Sequence, residues 1–177
     1  NDMVNRAITF VIYALIARYL GAYEFGQMSI TLTIFYLLQS LAPVGLKILL
    51  VRETARNPAE SGVYLVSGCF AALVTSILAL GILLVFLAIM NYGEETVWII
   101  LLVSLGLVPY SFSAVCEAIL QAHEKIRLIT AANLPISLAR GLVCFLLLAA
   151  GMSLRYIGIL FILSFTATFI WEWFLTT

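Results

Sequence analysis

Arg140 stands inside a long apolar run, with polar neighbours at helical spacing on both sides. Thr130, Asn133, Ser137, Arg140 and Cys144 follow intervals of 3, 4, 3 and 4, which places them on one face of a helix. Arg140 lies about 15 residues into its run, so at about 1.5 Å per residue it is deep within it. If that run crosses a bilayer, a charge at this depth costs from about 2.5 to more than 10 kcal/mol, so the side chain must find a cavity or a partner. It can snorkel outward or pair with a carboxylate as a structural element. The favoured reading is a water-filled cavity that binds an anion. Pro135 removes one helical hydrogen bond and predicts a kink near Asn133.

The same pattern recurs elsewhere. Ser29, Thr33, Tyr36, Ser40, Pro43 and Lys47 share a face, with Gln39 beside them, and Pro43-Val-Gly45 is expected to bend that helix. Gly106, Tyr110, Ser113, Glu117 and Gln121 form a third stripe, with a possible kink at Pro109. Arg6, Thr9 and Tyr13 form a fourth. One stripe is explained by interhelical hydrogen bonds worth about 0.6 kcal/mol each, whereas four point to an aqueous interior. Glu117 belongs to the cavity stripe or is instead a near-interface charge or the structural partner of a basic residue.

The elements that must hold these stripes are six apolar runs: 3–20, 27–50, 63–90, 96–120, 126–150 and 156–175. Hydrophobic residues make up 64% of the 177, charged residues 10%, and mean hydropathy is +1.14. Each run has about the 20 apolar residues that a hydrocarbon core of about 30 Å requires. Backbone groups in lipid must be paired internally, so the runs are helices, and the alternation of a barrel strand is absent. The expected fold is therefore all-α: a polytopic, six-transmembrane-helix bundle filling residues 1–177. Short connections predict that consecutive helices pack as antiparallel neighbours.

With the N-terminus in the cytoplasm, the inside segments hold Arg6, Lys47, Arg52, Arg56, Lys125 and Arg127, and the outside segments Arg18 and Arg155. That bias places both ends in the cytoplasm. Trp98, Trp171 and Trp173 suit the headgroup level. The third and sixth runs read as scaffold: Gly68, Ala72 and Ser76 form a small-residue ridge, and Phe161, Phe165 and Phe169 a lipid-facing or packing stripe. Cys69, Cys116 and Cys144 fall singly in three runs and read as packing residues. His123, the only histidine, sits in a loop, and no metal cluster, nucleophile elbow or phosphate loop occurs, so an enzyme and a cofactor are not expected. Zero net charge gives no electrostatic case for nucleic acid.

Three segments carry a resemblance. Leu15-Ile-Ala-Arg-Tyr-Leu-Gly-Ala-Tyr-Glu-Phe-Gly26 resembles the end of the first helix and the first loop of polysaccharide-biosynthesis flippases. Val44-Gly-Leu followed by Leu50-Val-Arg-Glu-Thr-Ala-Arg56 resembles the segment ending their second helix. Leu120-Gln-Ala-His-Glu-Lys125 resembles the connection after their fourth helix. These flippases belong to the multidrug/oligosaccharidyl-lipid/polysaccharide exporter superfamily, whose members have 12–14 helices in two six-helix lobes around a central cavity. The resemblance implies that this chain is the N-terminal lobe and that a C-terminal lobe completes the transporter. It implies a polyprenyl-pyrophosphate-linked oligosaccharide as substrate, flipped outward across the cytoplasmic membrane by alternating access for cell-surface polysaccharides such as O-antigen.

A pyrophosphate head group gives buried cations a use. The candidate substrate-binding residues are Arg140, Lys47 and Arg18, with Asn133, Ser137, Tyr36 and Tyr13 as neutral donors and Glu117 as the possible coupling carboxylate. Pro43-Val44 stands where the family often carries an acidic residue, which argues against ion coupling through that helix. Two other classes remain. A drug or metabolite cation antiporter of the same superfamily needs a cavity carboxylate, for which Glu117 is the candidate. A non-transporting membrane scaffold has no need of four polar stripes.

Overall fold

A computed structural model describes residues 2–19, 21–41 and 45–176; the side chains of residues 2–9, 41 and 132 also lie outside the described part. Among the described residues the chain is helical and contains no strand. The elements are α1 (Asp2–Tyr19), α2 (Ala22–Leu41), α3 (Leu46–Arg56), α4 (Ser61–Met90), α5 (Glu94–Leu105), α6 (Leu107–Ala122), α7 (Ile126–Ala149) and α8 (Leu154–Thr176), with a short 3-10 turn at Pro58–Glu60 before α4.

The all-α class holds, but the count of six spans does not carry over directly. Among the described residues four helical stretches are long and apolar enough to cross a membrane: Pro58–Met90, Glu94–Ala122, Ile126–Ala149 and Leu154–Thr176. The expected first span has a shorter apolar helix, Phe10–Tyr19. The expected second span, 27–50, is two helices. α2 starts five residues early and is diluted by Glu24, Gln27, Thr31, Thr33 and Gln39, while α3 is 11 residues long and runs on to Arg56. Residues 42–44, where Pro43-Val44 predicts the bend, lie outside the described residues. Gly45 beside them has φ 73°, a left-handed conformation that glycine alone adopts at little cost, and α3 starts directly after it.

The fourth run is also divided, at Gly106 rather than at Pro109. The Gly106 N–H bonds the Val103 carbonyl at 3.0 Å, a tightened 3-10 contact between α5 and α6. The cause is a close approach. A Cβ on Gly106 would meet the Phe165 ring of α8 and the Val103 carbonyl oxygen at 3.0 Å. α7, by contrast, runs through Pro135 without a break in its assignment.

Consecutive runs pack together in part, as expected: the third on the fourth through α4 and α6, and the fifth on the sixth through α7 and α8. Contacts between non-consecutive runs are just as extensive. α6 lies against α8, α4 and α3, α1 against α7, and α2 against α5. α4 and α5 are consecutive, yet they touch little. Two apolar clusters result. The larger joins Ile12, Ile16, Phe35, Leu83, Ile100 and Ile157 with their neighbours; the smaller joins Leu50, Leu65, Ala72, Val115 and Ile119. Lipid is as apolar as leucine, so close packing and buried hydrogen bonds must hold these contacts together. The predicted ridge on α4 does this: Gly68, Ala72 and Ser76 are buried, and Ser76 donates to Ser111 at 2.9 Å. Gln27 of α2 donates to Thr96 of α5 at 2.9 Å.

The outer faces remain apolar and exposed, including Phe70, Ile82, Leu142, Leu146, Leu163 and Phe174. An apolar surface this extensive suits lipid and would aggregate in water. Trp98 and Trp171 are exposed, whereas Trp173 packs on Phe169 with ring centroids 5.9 Å apart.

Gly158 tests the close α5–α8 approach, because a Cβ there would run into the Leu102 side chain. Gly158→Val should cost about 1–3 kcal/mol through overpacking, seen as a lower thermal unfolding midpoint in detergent. Gly81→Val, which meets open space, should leave the midpoint near wild type. Equal midpoints for the two variants would refute the packing described.

Candidate functional site

Six helices surround a cavity of about 860 Å³. α1 contributes Phe10 and Tyr13, α2 contributes Tyr36 and Gln39, and α3 contributes Lys47. Tyr110, Ser113 and Glu117 come from α6, and Asn133, Ile136, Ser137 and Arg140 from α7. α8 adds Phe161, Phe165 and Thr168. The polar stripes supply these residues because each stripe lies on the inner face of its helix. α4 and α5 contribute no lining residue, in keeping with the scaffold role expected of the third run.

The cavity has two chemically different ends. At one, Lys47 Nζ donates to Glu117 Oε2 at 2.6 Å. Asn133 Nδ2 donates to Glu117 Oε1 at 3.0 Å and to Glu172 Oε1 at 3.1 Å. Both N–H bonds of that amide are thus used, which fixes its orientation. Ser113 donates to the other oxygen of Glu172. Glu172 is fully buried behind the cavity wall, so Lys47, Glu117, Asn133, Glu172 and Ser113 tie four helices into one polar network.

At the other end is Arg140, seven residues from Asn133 and so about 10 Å along α7. Its guanidinium lies over two rings, 5.2 Å from the centroid of Phe161 and 5.8 Å from that of Phe165. Among the described residues no carboxylate pairs with it, and its buried Nε has no hydrogen-bond partner. A cation–π contact supplies about 0.5–2 kcal/mol, while a cation deep in hydrocarbon costs at least about 2.5 kcal/mol. The rings alone do not balance that cost. The charge is offset by water in the cavity or by an anion.

The structure brings together seven of the eight predicted residues: Tyr13, Tyr36, Lys47, Glu117, Asn133, Ser137 and Arg140. Arg18 is not among them. It is exposed in the last turn of α1, away from the cavity wall. The Arg6 and Thr9 side chains lie outside the described residues. Thr130 and Cys144, at the ends of the α7 stripe, do not line the cavity; Thr130 turns back to the Ile126 carbonyl and Cys144 is buried in the larger cluster. Glu117, expected as a possible coupling carboxylate, a near-interface charge or the structural partner of a basic residue, is paired with Lys47.

The sixth run holds the main omission. Phe161, Phe165 and Phe169 were expected in a lipid-facing or packing stripe, and they pack: Phe161 in the larger cluster, Phe165 on Phe35 and Tyr110, and Phe169 on Phe112 and Trp173. What the stripe did not reveal is that Phe161 and Phe165 also lie under Arg140. Glu172 went unnoticed because Trp171 and Trp173 flank it and suggest an interface. The available signal was an acidic residue within the last apolar run, on the same helix face as Phe161, Phe165 and Thr168.

A sequence model of the family described as "Polysaccharide biosynthesis protein" matches residues 2–175. No curated protein matches the chain, and no solved structure does. The family match and the four long apolar stretches together make the chain a membrane protein of polysaccharide biosynthesis.

Glu172 is the central acceptor of the polar network. Glu172→Ala should cost about 1–3 kcal/mol, because Ser113 and one Asn133 N–H lose their acceptor in a buried site. Glu172→Gln keeps an acceptor for Asn133 and should cost less. Thermal unfolding in detergent compares the two, and an Ala variant as stable as wild type would contradict the network.

Proposed function

We propose that this chain, which belongs to the polysaccharide biosynthesis protein family, is a lobe of a flippase for polyprenyl-pyrophosphate-linked oligosaccharides. The supporting observation is Arg140: a guanidinium turned into a cavity, seated on two aromatic rings and paired with no carboxylate among the described residues. A diphosphate diester carries two negative charges and a fan of acceptor oxygens. Arginine's planar fork matches such oxygens two at a time, which a single ammonium cannot do. Ser137, Tyr36 and Tyr13 offer neutral hydrogen bonds around the same cavity, while the Asn133 N–H bonds are taken by Glu117 and Glu172.

In this reading the glycan occupies the aqueous cavity and the polyprenyl tail stays in the bilayer. α1, and α2 with α3, provide the first two of six spans beside the four long ones. The lobe sits in the cytoplasmic membrane with both ends on the cytoplasmic side, and a second lobe closes the cavity. Alternating exposure of the cavity then moves the head group outward without covalent chemistry, so the protein acts as a transporter and not an enzyme. The cation-antiporter reading is less favoured, because the cavity carboxylate Glu117 is already held by Lys47. A scaffold reading leaves the desolvated arginine without a purpose.

The test is complementation with the full-length protein in a strain lacking its own flippase. A lost charge-assisted hydrogen bond is worth about 1.5–3 kcal/mol, so Arg140→Ala should lower surface polysaccharide by about 10- to 100-fold at normal protein level. Arg140→Lys, which keeps the charge but not the fork, should fall between. Wild-type polysaccharide levels in the Arg140→Ala strain would overturn the assignment.

A further inference from the structure

The cavity wall grades from aromatic to polar. Around Arg140 it is lined by rings: Phe161 and Phe165 lie under the guanidinium, and Tyr110 stands edge-on to Phe165 with centroids 5.8 Å apart. Ser137 follows one turn along α7. At Asn133, about two turns along, the wall is ammonium, carboxylate and amide. In the other direction the α7 stripe ends at Cys144, which is buried in the larger cluster and lies off the wall. A head group held at Arg140 therefore meets hydrogen-bonding side chains in one direction along α7. With the diphosphate at Arg140, the sugar ring bonded to it points toward Lys47 and Glu117.

The Lys47–Glu117 pair is electrically closed but open to further hydrogen bonds. Lys47 has three N–H donors and uses one on Glu117. Glu117 has about four acceptor sites and uses two, for Lys47 and Asn133. Both side chains line the cavity, 42% and 23% exposed. The pair thus presents a donor and an acceptor side by side, 2.6 Å apart. Two adjacent ring hydroxyls satisfy both, since each hydroxyl donates and accepts.

Charge rules out other guests at this end. One ammonium stands beside two carboxylates, Glu117 and, behind the wall, Glu172. Their sum is zero with Glu172 protonated and negative with it ionised. An anionic substituent on the ring gains from Lys47 only what it loses to Glu117, and it would have to break the pair to gain more.

We propose that the Lys47–Glu117 pair is a selectivity element: it hydrogen-bonds a neutral, hydroxyl-bearing sugar ring attached directly to the diphosphate and excludes a ring that carries a carboxylate. This rests on the reading of Arg140 as the diphosphate's ligand and deepens it. Arg140 supplies the affinity common to all such head groups, and the pair discriminates among their first rings. Repulsion by Glu117 contributes to that discrimination alongside the hydrogen bonds gained.

The test is calorimetric titration of the full-length protein in detergent with two probes, the methyl diphosphate esters of glucose and of glucuronic acid. They differ only at the exocyclic carbon, a hydroxymethyl in one and a carboxylate in the other. Wild type should bind the glucosyl probe at least about tenfold more tightly, the scale of one like-charge contact at a partly buried site. Glu117→Gln leaves Lys47 uncompensated, so the ratio should fall to about one or reverse. Lys47→Gln leaves Glu117 unopposed and should widen the ratio. Arg140→Ala should weaken both probes alike. A purely structural role for the pair would move both affinities together and leave their ratio unchanged. Equal or reversed binding of the probes by wild type would overturn the selectivity and leave the anion site standing, as would a ratio unmoved in the folded Glu117 and Lys47 variants. Absence of binding of either probe by wild type would overturn both.

Discussion

A positive charge cannot rest in an apolar helix bundle without compensation, and Arg140 makes that constraint local and specific. The two phenylalanine rings beneath it contribute too little to offset its desolvation, and among the described residues no carboxylate comes within pairing distance. The bundle therefore has to leave room for water or an anion beside α7. Six helices turn a polar or aromatic face to that space, while α4 and α5, which carry no lining residue, give their surfaces to packing and to the outside.

The second charged group obeys the same rule by a different route. Lys47 is neutralised within the protein by Glu117, and the negative charge of Glu117 is shared through Asn133 with a fully buried Glu172. One end of the cavity is thus electrically complete and the other is not. This asymmetry leaves Arg140 as the lining charge whose compensation the described side chains do not supply.

Much of this was legible in the chain. The intervals of three and four around Arg140 identified the inner face of α7, and the α6 stripe correctly combined Tyr110, Ser113 and Glu117. Arg18 misled because a basic residue near the end of an apolar run looks the same whether it turns inward or toward solvent; helix rotation decides, and that depends on packing partners. Phe161 and Phe165 pack as expected, but their place beneath Arg140 was not visible, because an aromatic stripe has no intrinsic direction until another helix lays a cation on it. The split of the second run was only half visible: proline and glycine marked the bend, but the length of α3 beyond it depends on Leu50 and Thr54 being buried. Glu172 was hidden by its own neighbours, since two tryptophans suggest a membrane boundary where a single glutamate in fact joins three helices.

The interruption at Gly106 gives the fourth apolar run a joint. α5 is fastened to α2 through Gln27 and Thr96, while α6 carries Tyr110, Ser113 and Glu117 into the cavity. A continuous rod would transmit any turn of its inner half to its outer half. Two short rods meeting at a residue without a side chain need not do so. α6 can pivot at a single peptide while α5 keeps its grip on α2, which mechanically separates the part of the bundle that lines the cavity from the part that holds its shape.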